Sequence, residues 1–438
     1  MLKSIYTIVY GLPMDWCDMA LHQITQKSRY DHLYIHLWRI WFHHTSIQNC
    51  TNKFDQTAQQ PGFKFFGNVN VGSTPSPFTH SIQIPLSSIL PRYTHLVLST
   101  GAYLPFTLPA LGKDAASALS FVHWYTGHPS SPPPPPLSSI SHLTLIGHGN
   151  VSLDIARLLL SPLPVLQKLD IPKAALDVLA TSSIKHISIV SRRGPAEVAF
   201  TAKEVRELLT LPNASMEPIL PDILIPPPSA SRQQSRILDL LRKGSQQQFG
   251  TTEKTWSLQF FRSPLSTRSG EIEYGINELD DKLRARPTGK TTTEKTDFVV
   301  QSVGYRSEPV ETEWFDGLAM RMRNDGGRVL DSSGKAVPYV YTSGWAANGA
   351  KGVLATTMMD AYGVAERLLT DHLGEPIRVP TPLGGQDGLP DELERNKDKI
   401  VTYEDWKRID AEEIRRGEVI GKERDRMDWH QARAFLGR

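Results

Sequence analysis

The chain has 438 residues, 39% of them hydrophobic and 21% charged, with a formal net charge of +2. That length can furnish cores for two or three domains, and the near-neutral balance excludes a whole-molecule field of the kind that gathers nucleic acid or an anionic membrane. No apolar run is long enough to span a bilayer, and two cysteines, Cys17 and Cys50, in no metal or disulfide spacing point to a reducing compartment.

The N-terminal stretch stands apart. Residues 1–50 hold both cysteines, Trp16, Trp38 and Trp41, and the histidines 22, 32, 36, 43 and 44, in no known metal-ligand pattern. "IVYGLP" offers one glycine rather than a nucleotide-binding turn. A targeting peptide is Arg- and Ser-rich and poor in acids, whereas this segment carries Asp15, Asp18 and Asp31. The expectation is that residues 1–48 are not the native start of the fold.

From about residue 54 the pattern becomes regular. "FKFFGNVNVG" (63–72) and "HLVLSTGA" (95–102) are expected as strands, the second buried. "PSSPPPPPLSS" (129–139) reads as an exposed polyproline connection, with an SH3-like partner as the alternative. "HLTLIGHGN" is a strand, followed by "VSLDIARLLL" as a helix; "KHISIVSRRG" (185–194) is a strand and "TAKEVRELLTL" (201–211) an amphipathic helix. After a Pro-, Ser- and Gln-rich stretch comes the basic helix "SRILDLLRKG" (235–244), then the strand "DFVVQSVGY" (297–305). Residues 339–369 read as strand, Gly-rich loop and helix, and 403–429 as a charged helix and its exit. Strands alternating with helices argue for doubly wound α/β sheets.

Chemistry concentrates at two of these junctions. Gly147 permits a tight turn, and Gly149 lets a backbone approach a pyrophosphate. The helix from about Asn150 aims its free N–H groups and positive dipole end at the same place. Ser152 stands where a third glycine is usual. The next strand ends in "SRRG", where an acid would bind the ribose 2′-hydroxyl of NAD and arginines accommodate the 2′-phosphate of NADP. A solvated arginine pair is the plain alternative, but the two junctions together favour NADP.

"GHGNVSLDIARLLL", "SRRGPAEVAFTAKEVREL", "QSVGYRSEPV", "TSGWAANGAKGVLATTMMDA" and "YEDWKRIDAEEIRRGE" resemble the NADPH:adrenodoxin oxidoreductase family, the mitochondrial ferredoxin–NADP reductases, over residues 49–438. The resemblance implies two Rossmann-like dinucleotide-binding domains, the NADP domain inserted into the FAD domain. The implied boundaries are 49–108 for the first, incomplete part of the FAD domain, 109–309 for the NADP domain, and 310–438 for the rest and the tail. It implies a hydride passed from NADPH to FAD and single electrons passed on to an acidic [2Fe–2S] ferredoxin in the mitochondrial matrix, with at most peripheral membrane association.

Residue by residue, the resemblance places His148, Gly149, Asn150 and Val151 in the NADP pyrophosphate loop, although a glutamine is usual where His148 stands. Arg192 and Arg193 match the 2′-phosphate pair, and Glu204 a helix carboxylate on the nucleotide. Trp345 matches a tryptophan lying against FAD, and Gly352, Val353 and Leu354 the loop whose backbone meets the flavin. Val71 matches a backbone contact on the adenine side of FAD; a buried strand residue would look the same. Asp154 matches an aspartate in a proton path with a histidine; helix-cap electrostatics would explain it equally well. Arg232, Arg236, Arg242 and Lys243 lie where the family docks ferredoxin; a solvated helix face is the alternative.

Residues 1–48 lack the family's FAD fingerprint and its proton-path histidine. The expectation is therefore an FAD-domain sheet without its first strand or central helix, exposed apolar edges, and weak or absent FAD binding. Two alternatives stay open: a remnant that binds NADPH but no flavin, and another NADPH-dependent two-dinucleotide flavoprotein.

Overall fold

The computed structural model describes residues 63–72, 81–352 apart from 114, 129 and 131, 354–374 and 390–438, with positions 55, 56, 58 and 59 and the strands Thr7–Gly11 and His32–His36. His95–Ser99 is an apolar run buried along its whole length, as a strand covered on both faces must be. It pairs in parallel with Thr7–Gly11 on one side and Ala336–Thr342 on the other. His32–His36 and Phe63–Gly67 extend the sheet in parallel, and Arg328–Leu330 and Asn324–Asp325 close its far side as an antiparallel meander.

This sheet corrects one expectation. The place of the first strand is filled, by Thr7–Gly11, paired in register with both neighbours from Thr7 to Gly11. The run "TIVYG" has the β-branched, apolar character that a central parallel strand requires. The glycine turn usual after such a strand is missing from "IVYGLP", but the strand before it is present. The segment that would hold the central helix lies outside the described residues, as do His22, His43 and His44.

The chain leaves this sheet after Ser99 and builds a second one before returning. The inserted sheet runs Ala214–Met216, Lys254–Gln259, His186–Val190, His142–Ile146, Phe298–Gln301, Ala116–Ser117, all parallel. Leu143, Leu145, Ile187, Ile189 and Trp256 from its strands pack with Ile155, Leu159, Val205 and Leu208 from its helices into one core. A separate cluster of Val69, Ile84, Leu96, Leu98 and Val340 serves the first sheet. The two crossings between the sheets lie side by side: Leu104–Pro105 pairs antiparallel with Tyr305–Arg306. Two sheets of dinucleotide-binding type, one inserted in the other, are the architecture the sequence predicts.

An antiparallel sheet of Arg262–Arg268, Glu271–Leu279 and Ala285–Lys295 stands on the inserted unit and was not foreseen. In the polyproline connection Pro133, Pro134 and Pro136 are exposed and Pro135 is buried. The tail ties the units together. Val401 bridges to Gly67, Tyr403 sets its ring edge-on to Phe65, and Lys422 Nζ donates to the Ile171 carbonyl at 2.7 Å. Among the described residues no helix is long and apolar enough to cross a membrane.

Candidate nucleotide and redox site

The strand His142–Ile146 ends in a turn that only glycine can make. Gly147 has φ +127°, and a Cβ there would lie 2.2 Å from the Ser302 carbonyl oxygen. Its N–H donates to the Val190 carbonyl at 2.8 Å. Ser152 is more than a small residue in place of a third glycine: its Oγ donates to the Gly147 carbonyl at 2.5 Å and ties the turn to the helix. Gly149 is the N-cap of the helix Asn150–Leu160, in extended backbone with no side-chain cap. A Cβ on Gly149 would touch nothing within 4 Å, so its missing side chain leaves open space before the helix's first amides.

The four loop residues divide by direction. Asn150 Oδ1 accepts from the Thr201 N–H at 2.9 Å, fixing the front of the next helix, and Val151 packs on the core. His148 turns its ring inward. Nε2 lies 2.8 Å from the Ile189 carbonyl, and the ring stands edge-on to Phe260 at 4.9 Å. Burial pushes its pKa down to about 4, so the ring is neutral at physiological pH and carries its proton on Nε2 to donate to that carbonyl.

Val190 lies in register with Ile146, which brings the turn after it beside the glycine turn. Arg192 and Arg193 are both exposed there, and among the described residues neither guanidinium has a carboxylate partner. Their backbone is fixed: Asn277 Nδ2 donates to the Arg192 carbonyl at 3.1 Å, and the Phe261 N–H to the Arg193 carbonyl at 3.2 Å. A cavity of about 520 Å³ opens beside Arg193, lined also by Glu197, Phe200, Gln234, Lys282 and Arg284.

A charge cluster sits on the next turn of the helix. Arg157 donates to Asp154 Oδ1 at 2.8 Å, lies 3.7 Å from Glu204 and bonds Glu207. Burial pushes the Asp154 carboxyl up to about 7; Arg157 opposes this and Glu204 adds to it. The helix has no acid in its first turn and Asp154 pairs with a side chain, so the helix-cap explanation of Asp154 fails. Asp154 also raises the hydroxyl pKa of Tyr125 and Tyr305, and burial is the larger cause in both. Tyr305, pushed up to about 12, stacks on Trp345 with ring centroids 6.5 Å apart.

That placement has a measurable consequence. The folded pKa of Asp154 lies above its unfolded value, so its contribution to stability is full below about pH 4 and is lost as pH rises through 7. Between pH 5 and pH 7 the wild type is expected to lose about 2 kcal/mol relative to Asp154→Asn, at about 1.4 kcal/mol per unit of pH in this window. Urea unfolding of both proteins at pH 5, 6 and 7 measures the difference; parallel curves would show that Asp154 titrates as an ordinary carboxylate.

The first sheet contributes the other side. Asp360 accepts from the Gly344 N–H at 2.7 Å, Ser343 Oγ at 2.9 Å and Asn348 Nδ2 at 2.9 Å, so one carboxylate pins the loop bearing Trp345. Ser307 Oγ joins that loop to the end of the central strand, 2.8 Å from the Gly101 carbonyl and 3.4 Å from that of Trp345. Thr100 Oγ1, buried beside Gly101, has no hydrogen-bond partner among the described residues. Gly352 has φ +89°, in the left-handed region, and Leu354 opens the helix Leu354–Gly374; Val353 lies outside the described residues. Val71 is a buried strand residue in the first core, in register with Ile84 of the neighbouring strand.

On the helix Arg232–Lys243, Arg232 and Arg236 are exposed while Ile237, Leu238 and Leu241 are buried. Lys243 is exposed at its C-terminal end. Arg242 is committed locally, to Asp239 at 2.6 Å and the Leu224 carbonyl at 2.9 Å. Arg157, Ser307, Tyr305 and Asp360 join the site only in the folded chain. Only Arg157 carried a local signal, its i,i+3 spacing from Asp154.

No family model matches the chain. It is similar to the mitochondrial NADPH:adrenodoxin oxidoreductases of Salvelinus fontinalis, 36% identical over 409 residues, and Homo sapiens, 34% over 412; the alignments cover 88% of this chain and 79% and 80% of those proteins. It is 31% identical over 402 residues to the NADPH-ferredoxin reductase FprA of Mycobacterium tuberculosis, spanning 88% of this chain and 85% of that one. The solved structure of that FprA in complex with NADPH superposes with a TM-score of 0.86 at 27% identity, over 99% of this chain and 100% of the other. With two dinucleotide-binding sheets, one inserted in the other, and this identity over most of its length, the chain is an oxidoreductase that belongs to the NADPH:adrenodoxin oxidoreductase family.

Proposed function

We propose that the chain takes a hydride from NADPH onto FAD and hands electrons one at a time to a [2Fe–2S] ferredoxin, in the mitochondrial matrix. The observation that carries this reading is the arginine pair, without acid partners among the described residues, set beside a glycine-turned helix N-terminus on the inserted sheet. We assign NADP to that unit, residues 109–309, with Arg192 and Arg193 on the 2′-phosphate, the Gly149–Val151 amides on the pyrophosphate and Glu204 beside the nucleotide. The relatives' names support the partner and the compartment, since they are called mitochondrial adrenodoxin oxidoreductases or a ferredoxin reductase.

The first sheet fits FAD at the edge it describes. Gly11 and Ser99 end level with one another, the buried Thr100 hydroxyl lacks a partner among the described residues, and Trp345 is held on a pinned loop. FAD, when bound, supplies the conversion between two-electron and one-electron chemistry. Trp345 would shield one side of that site, and the backbone of Gly352, Val353 and Leu354 would meet it. Asp154, with a pKa of about 7 on the side of Tyr305, can hold or release a proton at neutral pH. For the acidic acceptor we assign Arg232, Arg236 and Lys243, with Arg242 holding the helix against Leu224.

A second reading, a chain that binds NADPH but holds no flavin, has one observation in its favour: residues 1–48 contain no G-x-G-x-x-G. A visible spectrum decides between them. The purified chain is mixed with FAD, freed of excess, then given NADPH and a [2Fe–2S] ferredoxin. We expect a retained flavin band that NADPH bleaches and ferredoxin restores. A colourless protein that still binds NADPH would establish the second reading.

A further inference from the structure

The antiparallel sheet on the inserted unit has no part in the reading given so far, yet the turn between its last two strands lines the cavity beside Arg193 with Lys282, Leu283 and Arg284. Its middle strand and the arginine turn are one rigid piece. Asn277 donates through its N–H to the Phe261 carbonyl at 2.7 Å, and through Nδ2 to the Arg192 carbonyl at 3.1 Å and Ser263 Oγ at 2.9 Å. Three residues further on the strand reaches Asp280, which organises the turn to Arg284. Its Oδ1 accepts from the Lys282 and Arg284 N–H groups at 3.0 and 2.9 Å, and its Oδ2 from Arg284 Nε and Arg286 Nε at 3.0 Å each. The turn's backbone is thereby fixed, with Leu283 at φ +56°.

The charges around the cavity are unbalanced. Arg193, Lys282 and Arg284 line it against a single carboxylate, Glu197, which accepts from the Gly194 N–H at 3.1 Å. Arg284 is held by Asp280. The exposed Lys282 ammonium forms no ion pair among the described residues. A lysine anchored at its backbone, lining the same cavity as Arg193 and, like it, without an ion pair among the described residues, is placed to meet an anion.

We propose that Lys282 is a third cation of the nucleotide site and reads the same ribose phosphomonoester as Arg192 and Arg193. This rests on the assignment of that pair to the 2′-phosphate. The antiparallel sheet then serves specificity: it fixes the arginine turn through Asn277 and brings a charge of its own to the same cavity.

The test is calorimetric binding of 2′,5′-ADP and of 5′-AMP to the full chain, in the wild type and in Lys282→Ala, Lys282→Glu and Arg193→Ala, at low and physiological salt. Lys282→Ala is expected to weaken 2′,5′-ADP roughly three- to tenfold, most at low salt, and to leave 5′-AMP unchanged. Lys282→Glu is expected to weaken it further. A selective loss in Arg193→Ala with none in Lys282→Ala would overturn the proposal while the 2′-phosphate assignment stands. Loss of selectivity in neither variant would overturn both. Weaker competition by inorganic phosphate in Lys282→Ala, with 2′,5′-ADP unaffected, would mark Lys282 as a general anion contact and also overturn the proposal.

Discussion

Gly147→Ala is expected to destroy NADPH binding and to unfold or loosen the inserted unit, whereas Gly149→Ala is expected to fold normally and bind NADPH more weakly. The two glycines stand two residues apart and do different work. At Gly147 a methyl group would lie 2.2 Å from the Ser302 carbonyl oxygen, on a backbone at φ +127° that alanine adopts poorly. Relief requires the end of the strand Phe298–Gln301 to retreat, which breaks the Ser302 N–H bond to the Ile146 carbonyl at 2.8 Å. Overpacking, strain and a lost buried bond together place the cost at about 3–5 kcal/mol. At Gly149 the backbone is extended and a methyl group meets nothing, so stability should stay within about 0.5 kcal/mol of wild type. That methyl group would occupy the space before the first amides of the helix, where a pyrophosphate must approach, and about tenfold weaker NADPH binding follows. Thermal melts and NADPH titrations of the two variants check both halves. An unstable Gly149→Ala, or a Gly147→Ala that binds NADPH normally, would show that the turn works in some other way.

How far the sequence could be read depended on the kind of element. Three strands of the inserted sheet, His142–Ile146, His186–Val190 and Phe298–Gln301, were legible because each is a short apolar run closed by Gly or charge, as parallel strands buried on both faces are; the polar Lys254–Gln259 and the short Ala214–Met216 and Ala116–Ser117 were not. The three-stranded antiparallel sheet was not. Its outer strand, Ala285–Lys295, is polar and exposed almost throughout, so no alternation marks it. Only Ile272 and Tyr274 of the middle strand reach a core, packing with Leu111, Ile146 and Val299. Thr7–Gly11 had the right composition for a strand, but what surrounds it in sequence hid its place. Its partners His95–Ser99 lie nearly ninety residues away, and pairing, not pattern, is what makes it central.

The site divides in the same way. Positions along a turn were readable; directions were not. The residues around Gly147 could be assigned to a phosphate loop, yet nothing local says that the His148 ring turns back to the Ile189 carbonyl. Asp154 could be singled out, but its elevated pKa comes from burial between elements distant in sequence, and Tyr305 and Trp345 come from the return crossing and the far side of the fold. Asp360 lay inside a quoted motif without being noticed, because its role depends on three partners 12 to 17 residues earlier that only folding brings to one carboxylate.

The arginine pair carries the second large effect. Arg192→Ala/Arg193→Ala is expected to weaken NADPH about 100- to 1,000-fold and NADH less than about twofold. Hydrogen bonds to a charged group are worth about 1.5–3 kcal/mol each; at the lower end, which fits an exposed pair, losing two costs about 3–4 kcal/mol of NADPH affinity. Neither side chain is buried or ion-paired among the described residues, and the turn is held through backbone carbonyls by Asn277 and Phe261. The double substitution therefore removes charge without loosening the turn, and the thermal midpoint should stay near that of the wild type. Lysine in both positions should restore only part of the loss, because an ammonium supplies charge but not the planar fork that meets two phosphate oxygens together. Steady-state kinetics with NADPH and NADH read the ratio directly. Equal losses for the two nucleotides would sink the 2′-phosphate assignment, and with it the reason for preferring NADP to NAD at this site.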